Sequence, residues 1–216
     1  MVRAMQASHP APPWSLRGTA IAAWRLVPTS VARALVPARL RIVPVLPRHT
    51  IAVLCMVRYE EGSALRYHEL IAAPALVHAA GRIGAWVSHI YVDSPASMAA
   101  GRSIWGLPKQ LAEFAWARQS VRMVEPDIRM QVLHEPTRVT RLRVPLLAPV
   151  FGEAQLALKW ALGKGSCRLA RVRGSVSVSQ PDLRALGFER VRTLIRIDDF
   201  RLTLPAPAIV GHRGVK

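Results

Sequence analysis

A single lysine carries the strongest indication of chemistry in this sequence. Lys109 is one of four lysines in a chain that has twenty-six arginines, and it lies in the segment GRSIWGLPKQL at residues 101–111. Lysine, unlike arginine, can lose its proton near neutral pH, and burial among apolar groups favours that loss. The neutral amine can then form a Schiff base with a carbonyl compound. Composition alone favours the simpler interpretation that Lys109 is an ordinary loop lysine.

The elements around Lys109 would place it at the edge of a sheet. A predicted strand ends at Asp93, and Ser94 can cap a short helix that has Pro95 at its first position and Gly101 as its C-terminal glycine. The chain then re-enters the sheet at Lys109. Trp105 and Leu107 flank this return, and we expect them to shield the amine from water.

Glu69 is the second candidate for a catalytic residue. The segment at residues 65–71 alternates, and it places Glu69 on the same side as Tyr67 and Ile71. A carboxylate on the apolar side of a strand costs several kcal/mol unless it has a partner. Glu69 would then be an acid/base or the charge partner of the lysine. The alternative is that Glu69 points to solvent while Leu70 faces the core.

Strands dominate the rest of the chain. The segments predicted as strands are residues 20–27, 40–46, 50–58, 65–77, 84–92, 114–124, 128–133, 139–147, 167–178 and 192–204. Short helices are predicted at residues 31–36, capped by Thr29 or Ser30, and at 181–187. Residues 134–137 are predicted as a hairpin connection and residues 163–166 as a turn.

These elements predict a mainly β (α+β) fold with a large antiparallel sheet or barrel and a few short flanking helices. The expected organisation is one domain at residues 13–210, a flexible N-terminal segment at residues 1–12 and a tail at residues 211–216. This length suits one good-sized core.

Composition weighs against several classes of protein. The formal net charge is +17, but the arginines are spread along strands and do not form a basic block with aromatic residues, so we expect no nucleic-acid partner. The histidines show no metal-binding spacing. The two cysteines, Cys55 and Cys167, suggest a reducing compartment, and no apolar run reaches membrane-helix length. We therefore expect a soluble cytoplasmic protein without a metal site.

The residues around Lys109 also resemble a known family. Ile90–Asp93 (IYVD), residues 100–102 (AGR) and residues 105–109 (WGLPK) are similar to the signature of the acetoacetate decarboxylase family, which ends at a Schiff-base lysine. The segment YHE at residues 67–69 is similar to the family segment that supplies an active-site glutamate. The resemblance spans most of the chain.

The resemblance implies a fold, a site and a chemistry. It implies a closed, cone-shaped β-barrel, usually in a homo-oligomer, and a Schiff-base enzyme that acts on a small keto acid or ketone without a metal or organic cofactor. It assigns the following site: Lys109 and Glu69 as catalytic residues, and Gln110, Leu107, Trp105, Ile90 and Tyr67 as substrate-binding residues.

Three departures from the family pattern leave the reaction open. Gln110 stands where the family has a second lysine, Ser103 stands where it has a glutamate, and the arginine associated with the substrate carboxylate has no clear match, since Arg17 is only near its position. Decarboxylation and aldol condensation with dehydration both remain candidates. A binding barrel without turnover and a basic nucleic-acid-binding protein are the alternatives from other classes.

Overall fold

The structure, a computed structural model, describes residues 9–133, 140 and 142–212. In this part of the chain, fifteen strands form one mixed sheet that is joined by a few short helices. The prediction of a mainly β protein built on a large sheet is therefore confirmed. No helix in the described residues is long and apolar enough to cross a membrane.

The elements have the following bounds. The strands are β1 (Trp14–Pro28), β2 (Arg41–Ile42), β3 (His49–Tyr59), β4 (Tyr67–Ala73), β5 (Ala75–Ala79), β6 (Arg82–Trp86), β7 (His89–Val92), β8 (Lys109–Leu111), β9 (Phe114–Ala117), β10 (Ser120–Met123), β11 (Ile128–Val132), β12 (Val144–Ala154), β13 (Ala157–Val178), β14 (Thr193–Leu204) and β15 (Ala208–His212). The helices are α1 (Thr29–Arg33), α2 (Pro95–Ala100) and α3 (Pro181–Ala185). A π-helical turn (Gly101–Trp105) continues α2, and a 3-10 turn (Phe188–Arg190) follows α3.

The strand order places β8 at one end of the sheet. The main path runs β2-β5-β6-β12-β13-β14-β1-β3-β4-β7-β8, while β11 and β15 also pair with β13. Most of the pairings are antiparallel, as predicted, but β7 with β8 and β6 with β12 are parallel. The parallel pair β7–β8 follows from α2, because a helical crossover returns the chain in its original direction.

The central strands are buried on both faces, and this creates two separate cores. In β3, Leu54 and Met56 pack into one apolar cluster, whereas Val57 and Tyr59 pack into the cluster on the opposite face. The second cluster also contains Ile90 of β7, the strand beside the lysine. Alternation along each strand thus decides which residues can reach Lys109.

Proline and glycine account for two differences from the predicted elements. The predicted strand at residues 65–77 is divided into β4 and β5 at Pro74, which has no N–H to donate to a strand ladder. The prediction of a turn at residues 163–166 was wrong, because these residues lie inside β13, where Lys164 pairs with Thr203. A Cβ at Gly165 would overlap the carbonyl oxygen of Arg201, so this glycine allows two backbones to approach closely.

Two further predictions concern element ends. Helix α1 begins at Thr29, after Pro28 as its N-cap, so neither Thr29 nor Ser30 is the cap. Strand β12 begins at Val144, whereas the predicted strand starts at residue 139, which lies outside the described residues. The predicted hairpin connection at residues 134–137 lies outside the described residues.

Candidate active site

The amine of Lys109 lies inside the second core. Its side chain is only 4% exposed, and its Nζ donates hydrogen bonds to Glu69 Oε2 at 2.6 Å, Ser97 Oγ at 2.9 Å and Tyr67 Oη at 3.4 Å. The three N–H groups of an ammonium therefore match three acceptors. The nitrogen also lies 5.0 Å from the centre of the Tyr67 ring. At rest the site holds a buried ion pair.

Glu69 accepts hydrogen bonds from three side chains. Besides Lys109, Tyr59 donates to Oε1 at 2.9 Å and Tyr67 donates to Oε2 at 3.2 Å. Burial, and then the negative charge of Glu69, raise the pKa of both tyrosines well above its ordinary value. Both phenols stay protonated and can donate. The carboxylate is 3% exposed and faces the core rather than solvent.

Helix α2 brings a hydroxyl to the amine. As predicted, Ser94 caps the helix, and its side chain accepts a hydrogen bond from the backbone N–H of Ser97 at 3.2 Å. Ser97 itself is fully buried. The capped first turn therefore fixes the position of the Ser97 hydroxyl at Lys109.

Gly101 gives the lysine side chain its space. A Cβ built at Gly101 would lie 2.6 Å from Lys109 Cε, so any larger residue would displace the lysine. Gly101 is the C-cap residue of α2, as predicted, but it keeps a right-handed conformation and begins the π-helical turn. Gly106, with φ 69°, ends that turn instead.

The loop that leads to Lys109 is held by backbone contacts. Arg102 Nε donates to the carbonyl oxygen of Lys109 at 2.7 Å. The carbonyl of Gly106 accepts a hydrogen bond from the Glu153 N–H of β12 at 2.8 Å. A Cβ at Gly152 would overlap the carbonyl oxygen of Trp105. The loop therefore sits directly on the β12 backbone.

Four of the five expected pocket residues lie in the same core as Lys109. Ile90 pairs with Lys109 across β7–β8 and is buried. Leu107 and Trp105 are also buried in this cluster, and Trp105 Nε1 is anchored to the carbonyl oxygen of Pro205 at 2.9 Å. Together with Tyr67, these residues form apolar surroundings for the amine.

Gln110 and Arg17 are not brought to the amine. Gln110 follows Lys109 in β8 and therefore points to the opposite side, where it is exposed. Arg17 is exposed on β1, and its side chain lies against Gly62. Of the expected pocket residues, Gln110 is the one that the structure separates from the lysine.

Sequence reasoning missed two residues of the site. Ser97 lies one helical turn before Gly101, and this i, i+4 pair of small residues faces the lysine; that spacing was a usable signal. Tyr59 is directly opposite Tyr67 in the β3–β4 pair, with ring centres 4.5 Å apart. Tyr59 could be identified only from the register of the β3–β4 hairpin, and that register cannot be read from the sequence.

A charged cleft of about 620 Å³ lies at the end of the β3–β4 hairpin. Four of its lining residues form two ion pairs: Arg58 binds Glu60 at 2.7 Å and His68 binds Asp93 at 2.6 Å. Arg58 and His68 are cross-strand partners, and alternation puts them on the face opposite to Glu69. Tyr59 and Tyr67, which donate to Glu69, also line the cleft, so at the end of the hairpin it reaches residues of the candidate site.

The chain matches known proteins in sequence. The sequence model of the family described as acetoacetate decarboxylase (ADC) matches residues 2–187. The chain belongs to the acetoacetate decarboxylase family. This confirms the resemblance that the residues around Lys109 predicted.

Solved structures of acetoacetate decarboxylase and related proteins share the fold. The acetoacetate decarboxylase from Legionella pneumophila superposes with a TM-score of 0.67 at 17% identity, covering 94% of this chain and 89% of that one. The enduracididine biosynthesis enzyme MppR, in its complex with pyruvate, gives a TM-score of 0.65 at 16% identity and covers 94% and 92%. At these identities the likeness establishes the acetoacetate decarboxylase fold.

Plant proteins are similar over part of the chain. The protein NEOXANTHIN-DEFICIENT 1 from Oryza sativa subsp. japonica is 33% identical over 118 residues, which is 55% of this chain and 39% of that protein. Its namesake from Arabidopsis thaliana is 30% identical over 104 residues, covering 48% and 36%. The chain thus spans less than two fifths of the length of these plant proteins.

Proposed function

We propose that this protein is a Schiff-base enzyme that acts on a small keto acid or ketone, with Lys109 as the nucleophile and Glu69 as the acid/base. One observation carries the proposal: a buried lysine amine lies 2.6 Å from a buried carboxylate in an apolar core. Family membership and the fold support the same type of chemistry. Homo-oligomeric assembly and a cytoplasmic location remain predictions.

The first step is a proton transfer within the ion pair. The ammonium of Lys109 gives a proton to Glu69 across the 2.6 Å hydrogen bond, which leaves a neutral amine and a carboxylic acid. Burial of both groups lowers the cost of the neutral pair relative to the charged pair. Tyr59 keeps its hydrogen bond to Glu69 Oε1 and holds the carboxyl group in place during the transfer.

The second step makes the iminium. The amine lone pair attacks the carbonyl carbon, and one proton passes from the attacking nitrogen to the former carbonyl oxygen, which gives a neutral carbinolamine. Glu69, now protonated, donates to the departing hydroxyl, so that water leaves and a C=N bond forms. The positively charged nitrogen then accepts the electron pair of a bond that breaks at the adjacent carbon.

The position of Arg17 favours condensation with dehydration over decarboxylation. The resemblance associates an arginine near the start of β1 with the substrate carboxylate, but Arg17 is exposed and lies against Gly62. Among the described residues, the hydrogen-bond partners of the Lys109 amine are Glu69, Ser97 and Tyr67. The iminium would therefore act mainly to activate the α-carbon of a keto acid toward an aldehyde.

Reductive trapping tests the proposal. Incubation with pyruvate or acetoacetate and borohydride should attach one substrate to Lys109, and peptide mass spectrometry locates the adduct among only four lysines. Lys109→Arg should abolish the adduct, because a guanidinium does not form the iminium at neutral pH. Lys159→Arg is the matched control: its amine binds the carbonyls of Ser103 and Ile104, and trapping should persist.

Trapping at another lysine, or none across a panel of keto acids and ketones, would contradict the proposal.

One observation favours a second candidate, a binding protein without turnover. All three hydrogen-bond positions of the Lys109 ammonium are occupied within the protein, and such a lysine can be purely structural. That protein would bind keto acids in equilibrium dialysis and give no adduct with borohydride.

A further inference from the structure

The charged cleft at the end of the β3–β4 hairpin meets the candidate site at two phenols. Tyr59 and Tyr67 line this cleft of about 620 Å³, and the same two side chains donate to the buried carboxylate of Glu69. Tyr67 also accepts a hydrogen bond from the amine of Lys109. The two tyrosines therefore contact both the cleft and the ion pair.

Packed side chains surround the amine elsewhere. Ile90, Trp105 and Leu107 are buried in the second core beside it. Because the side chain of Lys109 is only 4% exposed, a substrate reaches the amine only after a neighbouring side chain moves. The two tyrosines border an open cleft, so their movement meets less packed protein than movement of the apolar neighbours would.

Two of the three basic residues that line the cleft already have partners. Arg58 donates to Glu60 Oε1 from Nε at 2.9 Å and from a terminal nitrogen at 2.7 Å, and its guanidinium lies 5.6 Å over the ring of Trp116. His68 is paired with Asp93 at 2.6 Å. Neither side chain is free to bind a further anion without losing its carboxylate partner.

Arg66 is the uncommitted cation of the cleft. Its side chain lines the cleft and is exposed, and among the described residues it forms no hydrogen bond or ion pair. A guanidinium with free N–H groups can bind a carboxylate through two parallel hydrogen bonds. Glu61 also lines the cleft and is exposed, so its negative charge opposes the binding of an anion there.

We propose that this cleft is the docking site of the substrate, where Arg66 holds the carboxylate of a small keto acid before the carbonyl passes the two tyrosines to Lys109. The inference rests on the proposed function of Lys109. It assigns Arg66 a role in binding and none in bond formation. The cleft then selects keto acids over uncharged ketones, although the lysine itself reacts with both.

A comparison of a keto acid with a ketone tests the docking site. Pyruvate and acetone both carry a methyl group on the carbonyl carbon, but only pyruvate has a carboxylate. Arg66→Gln should raise the pyruvate concentration that half-saturates borohydride trapping at Lys109 by roughly fivefold or more, and it should leave the acetone value unchanged. Glu61→Gln should lower the pyruvate value. Arg171→Gln, at an exposed arginine of β13, removes one positive charge elsewhere and should change neither value.

Blocking the cleft tests the route to the amine. Arg66→Cys would be made in a chain with Cys55→Ala and Cys167→Ala, alkylated with a bulky maleimide and then treated with acetone and borohydride. Acetone has no carboxylate, so slower trapping reports obstruction rather than a lost charge. The same label at Trp24→Cys, an exposed position of β1, is the control and should not slow trapping. If the alanine background fails to fold, the comparison of pyruvate with acetone decides the question.

The outcomes separate this inference from the proposed function. No adduct at Lys109 with either compound would overturn both. If adducts form but Arg66→Gln affects pyruvate and acetone equally, or if Arg17→Gln raises the pyruvate value and Arg66→Gln does not, the docking site is wrong and the Schiff-base proposal stands. Unhindered trapping of acetone in the labelled Arg66→Cys protein would likewise overturn the cleft as the route.

Discussion

The buried pair of Lys109 and Glu69 predicts a large energetic coupling between two residues forty positions apart. Glu69→Gln leaves the ammonium without its counter-ion, and Lys109→Met leaves the carboxylate without its cation. Breaking a buried pair in this way costs about 3–5 kcal/mol. Both side chains are at most 4% exposed, so screening by solvent reduces the cost little.

The double variant should recover much of this loss. With both charges removed, no buried charge remains uncompensated, and replacing a buried pair by uncharged groups is often nearly neutral. We expect the variant with Glu69→Gln and Lys109→Met together to be more stable than either single variant. The measurement is the free energy of unfolding from urea denaturation at neutral pH for the four proteins of the cycle.

An exposed pair supplies the control. Arg122 and Asp127 form an ion pair at 2.8 Å, and both side chains are exposed. The same cycle with Arg122→Met and Asp127→Asn should show little coupling, because solvent screens the charges. If the loss of unfolding free energy in the double variant equalled the sum of the losses in the two single variants within about 0.5 kcal/mol, Glu69 and Lys109 would be energetically independent. The reasoning from the ion pair would then be refuted.

Two further substitutions test how the amine is held. Gly101→Ala places a Cβ against Lys109 Cε, so borohydride trapping should slow by roughly tenfold or more, since ~1.4 kcal/mol corresponds to a factor of ten. Gly211→Ala is the control, because the nearest atom to its added Cβ is 3.9 Å away, and this variant should trap normally. Equal trapping rates for the two variants would contradict the steric argument. Ser97→Ala removes one acceptor from the amine and should shift the pH dependence of trapping, while an unchanged pH profile would show that Ser97 only fills space.

Local patterns predicted part of the site. The start of α2 depends on a hydrogen bond between Ser94 and Ser97, three residues apart, and such short-range signals are legible in a sequence. Alternation in β4 likewise placed Glu69 with Tyr67 on one face. Whether that face lies in the core depends on a charge partner for Glu69, and this partner is Lys109. The sequence therefore supported the correct orientation of Glu69 without deciding it.

The rest of the site depends on register and on close backbone approach. Tyr59 joins Glu69 only because β3 and β4 pair as they do. Gln110 was expected beside Lys109 because it is adjacent in sequence, but adjacent residues of a strand point to opposite faces. Gly165 was predicted to lie in a turn, but it allows the backbones of β13 and β14 to approach closely. For Tyr59 and Gly165 the deciding neighbour is distant in the chain.

The close approach of Gly106, in the loop before Lys109, and Gly152, in β12, has an evolutionary consequence. The lysine loop owes its position to β12, a segment that carries none of the signature residues. A related protein could keep every residue of that signature and still lose its activity through one substitution of Gly152 by a bulky residue. Inactive relatives of this protein should therefore be sought by inspecting that glycine as well as the nucleophile.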